Sequence, residues 1–396
     1  MDLQQREEGR LSQRGERSVE LGGALKGFRD ILDNLCHPEL NPDGYVSLGI
    51  AENLLMHDEM TEFANSRANG SAGSKRLRAA VARFLNRNFH PHLSVETSHV
   101  SVLSGITKAN EMLAWLIADP GDAFLLGRPY YGTFPMDYMA RASVKTVGVD
   151  FGHTDPSSVD ALAHYEDALL QAKIDGVVVK ALMLCSPHNP LGRCFAPEVL
   201  KAFLAFCQKH QIHIISDEVY ALSVWHNRTA PDAPTFTSLL SIDLTGIIDP
   251  GLVHVLWGMS KDFGANGLRL GFLVDQGNNL LETSFSSLSL FSCPSSASDH
   301  IATIVLEDDQ FTESFIRTNK QRLSRNYEFV TEGQSGIFIL WADLRKASGV
   351  RGPRHVNNES SLSTRLLSKK VYLAEGELFG GEPGWFRIVF SQPKAY

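Results

Sequence analysis

The sequence is poor in cysteine, and the few it has stand far apart. Its 396 residues contain five, Cys36, Cys185, Cys194, Cys207 and Cys293. The number is odd and no CxxC pair occurs, which argues against a disulfide framework or a thiolate zinc site and fits reduced thiols. Basic residues are also scarce: 37 Lys plus Arg stand against 45 Asp plus Glu, a formal charge of −8. A nucleic-acid binder normally presents a basic face, so that class is set aside. No apolar run reaches the length of a membrane-spanning helix, which sets aside a membrane protein. The opening residues, MDLQQREEGRLSQRGER, have no apolar centre of the signal-peptide kind, and the expected location is the cytoplasm. GxSxG, Walker A and HExxH patterns are missing. His210 and His213 are three apart, but His213 falls in an apparent strand, so they share no helical face and no metal site is expected.

What is present suits a large packed core. The chain is 43% hydrophobic and 21% charged, and its length suggests two or three domains. Residues 18–36 carry apolar side chains at helical spacing behind a Ser cap, and 75–89 repeat the pattern. Apolar strands are then expected at 99–103, 123–126, 177–185, 212–215 and 253–257. Helices are expected at 108–117, 160–173 and 197–210. Continuous apolar strands alternating with helices indicate a mostly parallel sheet covered on both faces, an α/β fold. Residues 227–250, rich in Thr, Ser, Pro and Asp, read as a loop or insertion. Helical patterns return over 279–329, followed by strands at 336–344 and 385–391 with a helix near 362–370. The expected organisation is a polar lead over 1–17, an N-terminal segment over 18–45 that packs on a smaller unit, a large domain over 46–290, and a small C-terminal domain over 291–396.

In sheets of this kind ligands gather beyond the carboxyl ends of the strands, and the polar motifs lie at those ends. Lys261, in WGMSKDFGANGLRLG, is an amine at the end of a strand and a candidate covalent nucleophile. Desolvation and nearby cations would lower its pKa. Arg269 offers a forked donor for a phosphate, and Gly105-Ile106-Thr107 opens a helix whose first N–H groups suit the same anion. Each has a plainer explanation. Lys and Arg in a Gly-rich turn are usually solvated, and a strand-to-helix turn is commonplace.

Six motifs follow in order: SGITKAN, GRPYYGTF, SPHNPLGR, SDEVY, MSKDFGANGLRLG and GWFRIVF. Together they resemble the class I/II aminotransferases, pyridoxal-phosphate (PLP) enzymes of fold type I. AEN, GSKRLR, WGMSKD and EPGWFR are most similar to the 1-aminocyclopropane-1-carboxylate (ACC) synthase branch, particularly its fungal ACC-synthase-like members. The resemblance covers roughly 46–391. It implies a large domain with a mostly parallel sheet flanked by helices, a smaller α+β C-terminal domain, PLP as cofactor, a small amino-acid substrate and a homodimer.

The same resemblance assigns roles. Lys261 would hold the cofactor and move the Cα proton. Tyr131 would lie on the pyridine ring, where the plainer reading is a half-buried loop aromatic. Asn189 would face the phenolic oxygen and also border the substrate, and Tyr220 would reach either that oxygen or the lysine, as a second catalytic residue. Their plainer readings are a turn Asn before Pro and a packing Tyr. Asp217 would pair with the ring nitrogen, or else simply cap a helix. Arg387 would bind the substrate carboxylate, although an Arg alternating with Phe386 and Ile388 also suits a water-facing position. Ala51 and Glu52 would lie near the substrate. Three departures stand out, one being that the N-terminal aromatic segment ACC synthases use near the substrate is not recognisable. Gly258 occupies the place of a phosphate-binding Ser, which leaves Ser260 as the nearby hydroxyl. Ser71 replaces a Tyr that reaches the partner subunit. The implied reactions are carbon–sulfur lysis or ACC-synthase-like ring closure. Transamination is the alternative, and a non-catalytic module is a third reading that the retained Lys261, Asp217, Asn189 and Arg387 oppose.

Overall fold

Apolar residues in the strands alternate between two clusters, and that alternation builds the large body. The structure is a computed structural model, and it describes residues 12, 73–228, 230–330, 339–345, 362, 365–366 and 373–389. In chain order the elements are α1 (Lys75–Asn88), β1 (Val100–Leu103), α2 (Ile106–Ile117), β2 (Ala123–Gly127), α3 (Phe134–Ala142) and β3 (Lys145–Val149). There follow α4 (Ala161–Ile174), β4 (Val179–Cys185), α5 (Pro197–His210), β5 (His213–Asp217), β6 (Val253–Trp257), α6 (Met259–Asp262) and β7 (Gly271–Val274). The last are α7 (Asn279–Leu288), α8 (Ser296–Glu307), α9 (Asp309–Val330), β8 (Ile339–Asp343), β9 (Ala374–Glu375) and β10 (Trp385–Val389).

Seven strands form one sheet in the order β1-β7-β6-β5-β4-β2-β3, with β7 antiparallel to both neighbours and the other pairs parallel. Leu182, Leu184, Val255 and Trp257 face one cluster with α1, α4 and α5. Ala181, Met183, Cys185 and Leu256 face the other with α2, α3 and α7. Burial on both faces is what a parallel sheet requires. Trp257 is fully buried and stacks on Phe84 of α1 at 5.1 Å and on Phe272 of β7 at 5.5 Å. That indole anchors the end of β6, where the chain turns toward Lys261.

The α5 bounds match the sequence expectation, with Pro197 at the helix start. Other bounds shift. Helix α2 begins at Ile106 because Gly105 takes φ 98° as its cap. Strand β5 runs on to Asp217. Helix α3 and strand β3 did not stand out in the sequence. Segment 227–250 is mostly loop, yet Ser238, Leu239 and Leu240 are buried. A second sheet, β8-β10-β9, is antiparallel throughout, and it sets Arg387 opposite Trp341 and Ala374. Helix α8 packs on α1: Arg76 of α1 holds Glu307 with two donors, and Ser74 donates to Asp299. No described helix is long and apolar enough to cross a membrane. The expected helix at 18–36, Ala51, Glu52 and Ser71 lie outside the described residues.

Candidate active site

The register of the central strands brings the motifs to one place. Cys185, Asp217 and Leu256 are neighbours across β4, β5 and β6, so the segments leaving those strands start side by side. Asn189 follows β4, Asp217 ends β5, and Lys261 lies four residues beyond β6 on the single turn of α6. This is the carboxyl end of the sheet, where ligands of open α/β folds bind.

Lys261 is accessible from the cleft, yet the protein around it desolvates the ammonium, and this is the largest cause of its lowered pKa. Arg387 lowers it further, Asp217 opposes the shift and Arg269 adds to it. A lowered pKa leaves more of the amine unprotonated, which both covalent attachment and proton transfer require. The next residue fixes this turn. Asp262 is 3% exposed, and its carboxylate accepts from Trp257 Nε1 at 3.0 Å, the Leu222 N–H at 3.1 Å and Ser223 Oγ at 2.8 Å. Burial pushes its pKa up to about 7 against those donors. One side chain therefore ties the Lys261 turn to the segment that carries Tyr220. Little in the local sequence marks Asp262, because an acid beside a lysine in a Gly-rich loop reads as solvated.

Asp217 is 5% exposed and accepts one backbone hydrogen bond, from Val219 at 3.2 Å. Burial raises its pKa to about 7, the Val219 N–H and Lys261 pull it back, and Asp137 adds to the rise. The adjacent Glu218 is fully buried and serves a different purpose. It accepts from Ser216, Ser238 and the Leu239 N–H, fastening the 238–241 turn under the sheet. Burial holds it near a pKa of about 7 as well.

Asn189 is the centre of a second group. Its Nδ2 donates to the Tyr220 hydroxyl at 3.2 Å, and its Oδ1 accepts from Arg387 Nη1 at 3.3 Å. Burial raises the Tyr220 pKa, so the phenol stays protonated. The Arg387 guanidinium lies over the Phe379 ring at 4.7 Å, and its Nε is buried without a hydrogen-bond partner among the described residues. Tyr131 is half-buried, edge-on to Phe134 at 5.3 Å.

A third group forms a cradle. Gly105 caps α2, and a Cβ there would sit 2.7 Å from Arg269 Nη2. The exposed guanidinium thus lies directly over the start of α2, where the Ile106 and Thr107 N–H groups lead the helix. Arg269 takes φ 53° to reach it and donates to the Asn266 carbonyl. Helix-start N–H groups with a forked cation form an anion site. Ser260 is half-buried on α6.

The donor set fits PLP. The cradle suits its phosphate, the weakly partnered buried carboxylate of Asp217 suits a protonated ring nitrogen, and the Tyr220–Asn189 pair suits its phenolic oxygen. His210 pairs with Glu166 at 2.9 Å, and His213 with His254 of the next strand at 2.8 Å, so these two histidines belong to separate contacts. Among the described residues no group of three or more His, Cys, Asp or Glu is placed to hold a metal ion.

Comparison with known proteins bears on the family and the fold. The sequence model of aminotransferase class I and II matches residues 58–395. A probable aminotransferase of Leptosphaeria maculans is 32% identical over 97% of this chain and 95% of its own length. A 1-aminocyclopropane-1-carboxylate synthase of Glycine max is 28% identical over 95% of this chain and 83% of its own. Among solved structures, an aspartate aminotransferase of Thermus thermophilus with maleate superposes with a TM-score of 0.68 at 21% identity, over 97% of this chain and 96% of that one. That likeness concerns the fold, which is α/β of fold type I. The chain belongs to the class I and II aminotransferase family of PLP-dependent enzymes.

Proposed function

We propose that the protein removes the Cα proton of a sulfur-containing amino acid and carries the reaction on to loss of the sulfur group, as a carbon–sulfur lyase or an ACC-synthase-like enzyme. The observation that carries the proton-transfer reading is the placement of Lys261 four residues beyond β6, beside the end of β5 that carries Asp217; desolvation first, and Arg387 next, lower its pKa. The sulfur preference rests on the ACC-synthase-like motifs AEN, GSKRLR, WGMSKD and EPGWFR and on the similarity to an ACC synthase over 95% of this chain.

When bound, PLP supplies an electron sink for the charge that develops at Cα. The cradle of Ile106 and Thr107 N–H groups, Arg269 and Ser260 would hold its phosphate. Tyr131 would lie against the ring, and Asp217 would keep a proton on the ring nitrogen. Tyr220 and Asn189 would hydrogen-bond the phenolic oxygen. Arg387 would grip the substrate carboxylate through Nε and Nη, with Asn189 fixing the fork. That grip turns the Cα–H bond toward Lys261, whose Nζ takes the proton. Ala51 and Glu52 complete the substrate end of this reading, with the Glu52 carboxylate suited to a sulfonium. We place the enzyme in the cytoplasm as a homodimer, with a large PLP-binding domain over 46–290 and a small domain over 291–396.

Transamination is the second reading, favoured by the higher identity to the fungal aminotransferase relative. Three substrate sets separate the outcomes on purified holoenzyme: cysteine S-conjugates, S-adenosylmethionine, and glutamate with assorted keto acids. Thiol with ammonia, or ring-closed product, supports the proposal. Stoichiometric transfer of amino groups to keto acids without either product replaces it with transamination.

A further inference from the structure

Between the small sheet and the Tyr131 loop lies a turn that the motif roles leave unused. Residues Gly376–Phe379 make a 3-10 turn that ends at Gly380, whose φ of 65° closes it. Phe379 is 4% exposed and sits edge-on to Trp341 at 5.6 Å. The central carbon of the Arg387 guanidinium lies over its ring, 4.7 Å from the centroid. The Phe379 backbone carbonyl accepts the Tyr130 N–H at 2.9 Å. A Cβ on Gly380 would meet the Tyr130 ring at 3.3 Å, and one on Gly132 would collide with the Leu378 carbonyl oxygen. The turn therefore touches the carboxylate-binding strand on one side and the aromatic loop on the other, backbone to backbone.

We propose that Phe379 is a positioning residue that sets the plane of Arg387 and holds it in register with Tyr131, so that the carboxylate is received edge-on. The proposal rests on the reading of Arg387 as the carboxylate anchor. The reasoning is geometric. A guanidinium binds a carboxylate through its edge. Arg387 has two edge positions of interest, Nη1 toward Asn189 and the buried Nε, which has no hydrogen-bond partner among the described residues. With the Phe379 ring against its central carbon and Asn189 held by Nη1, the guanidinium is restrained on two sides before the substrate arrives. Preorganisation of this kind raises affinity by cutting the cost of ordering. The Tyr130 hydrogen bond then fixes the distance from this fork to the Tyr131 loop.

The test uses holoenzyme and 2-methylalanine, an amino acid with no Cα proton, titrated by cofactor absorbance and by calorimetry. Phe379→Met keeps apolar volume but removes the ring, and it should weaken the probe about fivefold to tenfold. For turnover of a substrate the same variant should raise KM by a like factor while kcat stays within about twofold. Phe379→Tyr, which keeps the ring, should restore both. On an Arg387→Gln background, Phe379→Met should have no further effect. If Phe379→Met fails to fold, Phe379→Leu carries the same expectations. Unchanged probe binding in Phe379→Met, equal losses in the Met and Tyr variants, or an undiminished loss on the Arg387→Gln background would each overturn the proposal alone. An Arg387→Gln enzyme that binds the probe as well as the native one removes the reading of Arg387, and the proposal with it.

Discussion

Replacing Asp217 by Asn should make the cofactor-free protein more stable while it damages the enzyme. Asp217 is buried and accepts one backbone hydrogen bond, so its charge is costly to keep. Burial lifts its pKa from 3.8 to about 7. A rise of about three units corresponds to roughly 4 kcal/mol, and relaxation of the site reduces the expected effect to ~2–4 kcal/mol. The sign follows from proton counts. The folded state holds the proton more tightly than the unfolded state, so folding is favoured below the unfolded pKa. That advantage is lost as pH rises through about 7. Asp217→Asn should therefore match the native apoprotein near pH 4 and exceed it by ~2–4 kcal/mol at pH 8. Urea unfolding of both apoproteins at the two pH values measures this. Cofactor should then stabilise native protein at pH 8 more than the variant, because only the carboxylate gains an opposite charge, and turnover of the variant should fall by at least ~100-fold. Equal stability of the two apoproteins at pH 8 would refute the argument, since it would mean that the carboxylate is well satisfied without a cationic ring.

Asp262→Ala should leave three buried donors without an acceptor and cost ~3–5 kcal/mol by chemical denaturation, with kcat falling further than KM changes. Asp262→Asn keeps an amide oxygen for Trp257 and Leu222, and it should cost about 1 kcal/mol. A similar loss in both variants would mean that charge rather than hydrogen bonding holds the turn. Gly105→Ala places a methyl 2.7 Å from Arg269 Nη2 at a φ of 98°, so PLP affinity should fall at least ~10-fold. Fluorescence-detected cofactor release reads this, and an affinity within twofold of native would remove Arg269 from the cradle.

The parts of this fold that could be read in the sequence are those in which local signals agree. Helix α5 has Pro197 at its start and apolar residues at helical spacing, and β4 is a continuous apolar run between turns. Strand β3 was missed because it is the sheet's last strand and starts with an exposed Lys145, so no apolar run marks it. The motif residues were legible because they stand at strand ends, and the sheet register then brings Asn189, Asp217 and Lys261 together. The supporting residues were not. Asp262 and Glu218 carry no local mark of their roles, because three of their partners, Leu222, Ser223 and Ser238, are 20 to 40 residues away in sequence. Phe379 was hidden in a Gly-rich turn, where only its contact with Arg387 from the neighbouring strand gives it meaning.

The central claim is that Lys261 is the amine that holds PLP. The most direct measurement is borohydride reduction of the enzyme as purified, followed by peptide mass mapping in native protein and in Lys261→Ala. The account predicts a pyridoxyl-phosphate mass on the peptide containing Lys261 in native protein, and none in the folded variant. The same mass on any other lysine, or a variant that retains the full adduct, would contradict it.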